Sequence, residues 1–81
     1  MARVIDCAVS NVVGSKIKEL RLEKNMSQEK LSERLETYAI YICRGSLSRI
    51  ENHERTVSDF ELRALAKVLD VPIADLFEEE E

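Results

Sequence analysis

Arg44-Gly45-Ser46-Leu47-Ser48-Arg49-Ile50-Glu51-Asn52 is the stretch on which the fold turns. At about 100° per residue, its two large apolar side chains, Leu47 and Ile50, fall on one side of a helix. Gly45, Ser48, Arg49 and Asn52 fall nearly opposite, with Arg44 and Ser46 on the flanks and Glu51 at the inward edge. The outer face is small, neutral or basic, and carries no acid. Such a face suits the DNA major groove, where small residues permit close approach, Ser meets donor or acceptor edges and Arg pairs bidentately with guanine. An ordinary solvated helix face holds the same residue types, so the pattern alone leaves both open.

Working outward, the chain reads as five helices. Ser10 or Asn11 is placed to cap the first, whose buried stripe is Val13, Ile17 and Leu20. Asn25 tolerates the left-handed conformation that ends a helix, and Met26 then folds back on the last turn. Ser27 caps a second helix in which Leu31, Leu35 and Tyr38 recur at helical spacing. Ala39-Ile40-Tyr41-Ile42 is too apolar for a surface loop and reads as a partly buried connector. Beyond the third helix, Ser58-Asp59-Phe60-Glu61 has the form of a capping box. It opens a fourth helix with Leu62, Leu65, Ala66 and Leu69 inward. Val71-Pro72 marks a break before a short fifth helix with Ile73, Leu76 and Phe77.

Several of these strings follow one another in a known order. Val13-Gly14-x-x-Ile17-x-x-Leu20-Arg21 precedes Met26-Ser27-Gln28-Glu29-x-Leu31-Ser32-x-x-Leu35. Next come Leu47-Ser48-Arg49-Ile50-Glu51-Asn52, Leu62-x-x-Leu65-Ala66-Lys67-x-Leu69-x-Val71 and Ile73-x-x-Leu76-Phe77. Over residues 12–77 this resembles the Cro/CI-type (XRE) helix-turn-helix family. The resemblance implies an all-α, compact five-helix, lambda-repressor-like domain that binds DNA. It implies base or nearby backbone contacts by Arg44, Gly45, Ser46, Ser48 and Arg49, and phosphate contacts by Gln28, Asn52 and Arg55. It also implies a structural ion pair between Arg21 and Glu51.

The sequence departs from the family between the second and third helices. Leu47 lies twelve residues beyond Leu35, about five more than the family norm, and the surplus at 36–42 lacks the Gly the family places there. Two accounts fit. Either the second helix gains a turn through Tyr38, or the insert bulges beside DNA, where Tyr38 or Tyr41 touches phosphates.

The net charge of −4 is unevenly spread. Residues 11–55 carry nine Lys/Arg against seven Asp/Glu, whereas residues 56–81 carry two against eight. The acidity is therefore C-terminal, and net charge bears on solubility and steering more than on a local face. Four aromatic residues are too few for a single-strand stacking platform. No apolar run approaches a membrane span. No nucleophile–base pair, phosphate-cradling Gly loop or metal set is present, so neither an enzyme, a cofactor nor a metal is expected. Cys7 and Cys43 form no CxxC and read as reduced thiols of a cytoplasmic protein. Cys43 is a helix-boundary residue or, alternatively, a redox sensor beside the reading helix. His53, the sole histidine, reads as a helix-end or solvent-facing group.

One domain at 11–77 is expected, with an N-terminal arm at 1–10 and an acidic tail at 78–81. One reading helix makes a small interface, so a homodimer on a two-fold symmetric double-stranded DNA operator is expected. Ile73, Leu76 and Phe77 are the expected core and dimer seam; two readings of the first ten residues stay open, Val4, Ile5 and Val9 joining that seam or the segment forming an arm from which Arg3 reaches DNA. The acidic C-terminal half keeps open a second class, an antitoxin-like module that binds a protein partner.

Overall fold

A computed structural model describes residues 10–77. Arg3, Val4, Ile5, Cys7 and Val9 of the expected arm, and the expected acidic tail, lie outside the described residues. Four α-helices run in order: α1 (Gly14–Glu23), α2 (Gln28–Glu36), α3 (Arg44–Glu51) and α4 (Asp59–Leu69). The fifth element is a 3-10 helix over Ile73–Phe77. The described residues are all-α, and five α-helices become four plus this tighter turn. The turn is tighter than an α-helix because Asp75 N–H closes on the Pro72 carbonyl, three positions back.

Side-chain chemistry sets the helix starts. Ser27 Oγ accepts from Lys30 N–H, and Ser58 and Glu61 form the reciprocal capping box of α4. Asn11 works from further out than a simple cap: its Oδ1 accepts from Val13 N–H at 3.2 Å and Gly14 N–H at 2.8 Å, so α1 begins at Gly14. Arg55 grips the carboxylate of Glu61 at 3.0 and 3.2 Å. Glu61's pKa is lowered, chiefly by the Arg55 hydrogen bonds.

All four helices stop in the same way. Asn25, Ala39, His53 and Asp70 adopt φ of 56°, 62°, 64° and 61°, respectively. At each, the next residue's N–H reaches back five positions: Met26 to Arg21, Ile40 to Leu35, Glu54 to Arg49 and Val71 to Ala66. This is the Schellman closure, and Met26, Ile40 and Val71 complete it by packing against the core. No glycine occupies any of the four left-handed positions. Ala39 is the least suited to the task, having a β-carbon and no polar group with which to compensate.

The long connector resolves between the two accounts. Regular helix stops at Glu36, and the closure through Ala39 leaves Tyr38 exposed instead of extending the buried stripe of Leu31 and Leu35. The chain then runs without regular structure to α3, with Ile42 buried, Ile40 packed against the core and Tyr41 exposed. Ser32 Oγ, on α2, donates to the Ile42 carbonyl at 2.7 Å. The insert is an anchored strap.

Ile17, Leu31, Leu35, Leu47, Ile50, Leu65, Leu69 and Leu76 are fully buried and form one core shared by every element. Each contributes about 1.5–3 kcal/mol by leaving water. Gly14 lets α1 cross the end of α3, since a β-carbon there would overlap the Ile50 carbonyl oxygen. Ala39→Gly is expected to stabilise the fold by about 0.5–1 kcal/mol, because relief of left-handed strain exceeds the entropy gained by the unfolded chain. Urea unfolding measures this, and a loss of stability would count against the closure.

Candidate nucleic-acid interface

The placement of α3 rests on one buried carboxylate. Glu51 is 5% exposed and accepts from Arg21 Nε at 2.8 Å, Arg21 Nη2 at 3.1 Å and Gln28 Nε2 at 3.0 Å. The remaining arm of the guanidinium donates to the Met26 carbonyl at 2.7 Å. Three elements and a turn therefore meet at a single ion pair: α1 through Arg21, the α1–α2 turn through Met26, α2 through Gln28 and α3 through Glu51.

A second set of contacts holds the same C-terminal end of α3 against the start of α1. Asn11 Nδ2 donates to the carbonyls of Ile50 at 3.1 Å and Arg55 at 2.7 Å. His53 bonds through Nδ1 to the Asn11 carbonyl at 3.0 Å and through Nε2 to Ser15 Oγ at 2.8 Å. Sequence reasoning saw Asn11 as a possible cap and His53 as a helix-end group. It missed that the two residues tie the entry of α1 to the exit of α3. No sequence signal announces this pairing, because it spans 42 positions and depends on the crossing at Gly14.

What these supports leave outward is the face of α3. Arg44, Gly45, Arg49 and Asn52 are exposed, and Ser46 and Ser48 are half-buried. Neither Arg44 nor Arg49 makes an ion pair among the described residues. The one acid in the helix is already neutralised inside, so the outer face is positive. Nothing lies within 4 Å of a β-carbon built on Gly45, so no internal packing requires glycine at that position. A glycine inside a helix costs about 0.5–1 kcal/mol relative to alanine.

The N-terminus of α3 is open. Cys43 is its N-cap, and its neutral thiol makes no capping hydrogen bond of the kind Ser27 and Ser58 make. The exposed thiol instead lies 3.5 Å from Ser46 Oγ. Hydrogen bonding to the Ser46 side chain, then to the Ser46 backbone, lowers the thiol's pKa.

The other singled-out residues occupy different surroundings. Gln28 spends one amide hydrogen on Glu51 and has a second to offer. Arg55 is only partly available, being joined to Glu61 and to the Thr56 carbonyl. Leu76 is fully buried within its own chain, whereas Ile73 and Phe77 are 41% and 44% exposed. An apolar surface on the 3-10 helix therefore comprises Ile73 and Phe77, with Leu76 removed to the core.

A family model described as helix-turn-helix matches residues 17–76. No curated protein matches the chain. Two variants probe the geometry above. Glu51→Gln is expected to cost about 3 kcal/mol in urea unfolding, because it leaves the Arg21 charge buried and unpaired; a cost below 1 kcal/mol would mean the pair is not a support. Gly45→Ala is expected to stabilise the free protein by about 0.5–1 kcal/mol while weakening duplex binding. Unfolding and fluorescence anisotropy measure the two effects, and a variant that binds as the wild type does would separate Gly45 from the interface.

Proposed function

The chain belongs to the Cro/CI-type (XRE) helix-turn-helix family, and on that premise we propose that it is a sequence-specific transcriptional repressor reading double-stranded DNA as a homodimer. The carrying observation is the outer face of α3: two arginines without ion-pair partners among the described residues, small side chains, an uncrowded glycine and no acid. In this reading α3 enters the major groove. Arg44 and Arg49 address guanine edges, Ser46 and Ser48 meet donor or acceptor groups, and Gly45 permits close approach. The second amide hydrogen of Gln28 takes a phosphate beside the start of α2, with Asn52 and the uncommitted hydrogens of Arg55 on the backbone further along.

Doubling the interface uses Ile73 and Phe77 as the seam, which sets two α3 helices about one DNA turn apart. Residues 11–77 form the DNA-binding unit, 1–10 an arm and 78–81 an acidic tail, in a protein that works in the cytoplasm. A second reading, an antitoxin-like module for a protein partner, is favoured by the excess of acids over residues 56–81.

Selection of sites from random duplex DNA is expected to return a two-fold symmetric consensus, bound with steeply salt-dependent affinity. Arg49→Ala is expected to relax base preference at one position per half-site by about 1–3 kcal/mol. An unchanged preference would remove Arg49 from base reading. A monomer in sedimentation both free and on the selected duplex would overturn the dimer. Absence of any saturable duplex binding, with one protein recovered in stoichiometric amount, would favour the second reading.

A further inference from the structure

The strap between α2 and α3 presents two tyrosines, and they do not share surroundings. Tyr38 faces α4, lining a groove with Ile40, Phe60, Arg63 and Lys67. Tyr41 lines neither this groove nor the neighbouring one at Asp70 and Pro72. It is 77% exposed, more than any other large apolar side chain among the described residues.

An exposed aromatic on a loose loop would mean little, but Tyr41 sits on fixed backbone. Ile42 behind it is 2% exposed, Ile40 before it packs against the core, and Ser32 holds the Ile42 carbonyl at 2.7 Å. Burial alternates along the strap: Ile40 and Ile42 turn towards the core, whereas Tyr41 and Cys43 are exposed. Cys43 is the N-cap of α3, and its thiol lies over the first turn, beside Ser46. The outward side of the strap thus continues into the open N-terminus of the reading helix, with Arg44 next along the chain. No acid falls between Thr37 and Ile50.

We infer that Tyr41 is a DNA-backbone contact: its phenolic O–H donates to a phosphate flanking the bases read by α3, with the ring lying against the adjoining sugar. This rests on the proposal that α3 enters the major groove and assigns the extra residues 37–42 a role in it. The strap then widens the footprint of a short helix by adding a neutral, rigid donor where a further arginine would add only unselective charge. A phosphate contact fixes register and carries no base information.

The test uses the full chain and the duplex recovered by site selection. Tyr41→Phe keeps the ring and removes the donor, so affinity is expected to fall about tenfold. Base preference and the salt slope are expected to stay unchanged, since no charge is lost. Tyr41→Ala is expected to lose at least as much, while thermal unfolding of both variants matches the wild type. Replacing single phosphates by uncharged methylphosphonates is expected to find one position per half-site where wild type and Tyr41→Phe bind alike. Wild-type affinity in Tyr41→Phe would overturn the phosphate hydrogen bond, whatever Tyr41→Ala does. A wild type that binds no duplex at all would instead overturn the groove-reading proposal beneath it.

Discussion

Everything about α3 depends on a carboxylate that water scarcely reaches. Glu51 is the only acid on the helix, and outside it would oppose the approach of phosphate. Turned inward, it draws Arg21, Gln28 and, through the guanidinium, the Met26 carbonyl into one bonded cluster. A buried ion pair is a poor source of net stability, since desolvation opposes the Coulomb attraction, but breaking it is costly. Its effect here is to permit one arrangement of α1, α2 and α3. The same cluster removes a negative charge from the outer face and holds the first residue of α2 beside α3.

A second fastening, just past Glu51 at the exit of the helix, works by hydrogen bonding. Asn11 offers both sides of its amide, accepting from the start of α1 and donating to the end of α3, while His53 returns to the Asn11 carbonyl. Gly14 lets the two backbones approach closely enough for these bonds. Alongside these fastenings, Leu47 and Ile50 supply burial without direction, and the polar contacts supply direction.

Much of this was legible in the residues themselves. The helix starts at Ser27 and Ser58 follow from local chemistry that acts over three positions, and apolar periodicity placed Leu47, Ile50, Leu65 and Leu69 inward. Asn25 and Met26 read as a left-handed closure, whereas Ala39 did not, because alanine carries no signal for that conformation. For the same reason Tyr38 fitted a longer α2: helical spacing cannot reveal that the backbone turns one residue later. The fifth helix was placed correctly but given the wrong pitch. Leu76 separated from Ile73 and Phe77 only once packing was known, since three apolar residues in a short turn look alike as letters. Of the candidate interface, the residues of α3 were readable from their helical face; the partial engagement of Gln28 and Arg55 inside the protein was not.

The isolation of the outer face bears on how such a chain changes over generations. The supports of α3 run through Glu51, Ile50, Leu47 and the residues flanking its exit, while a side chain added at Gly45 would meet nothing of the protein. Residues that face outward can therefore be exchanged at little expense to the scaffold. In the groove-reading role proposed above, the helix separates two heritable problems, remaining folded and choosing a target, onto opposite sides of eight residues, so that one can change without disturbing the other.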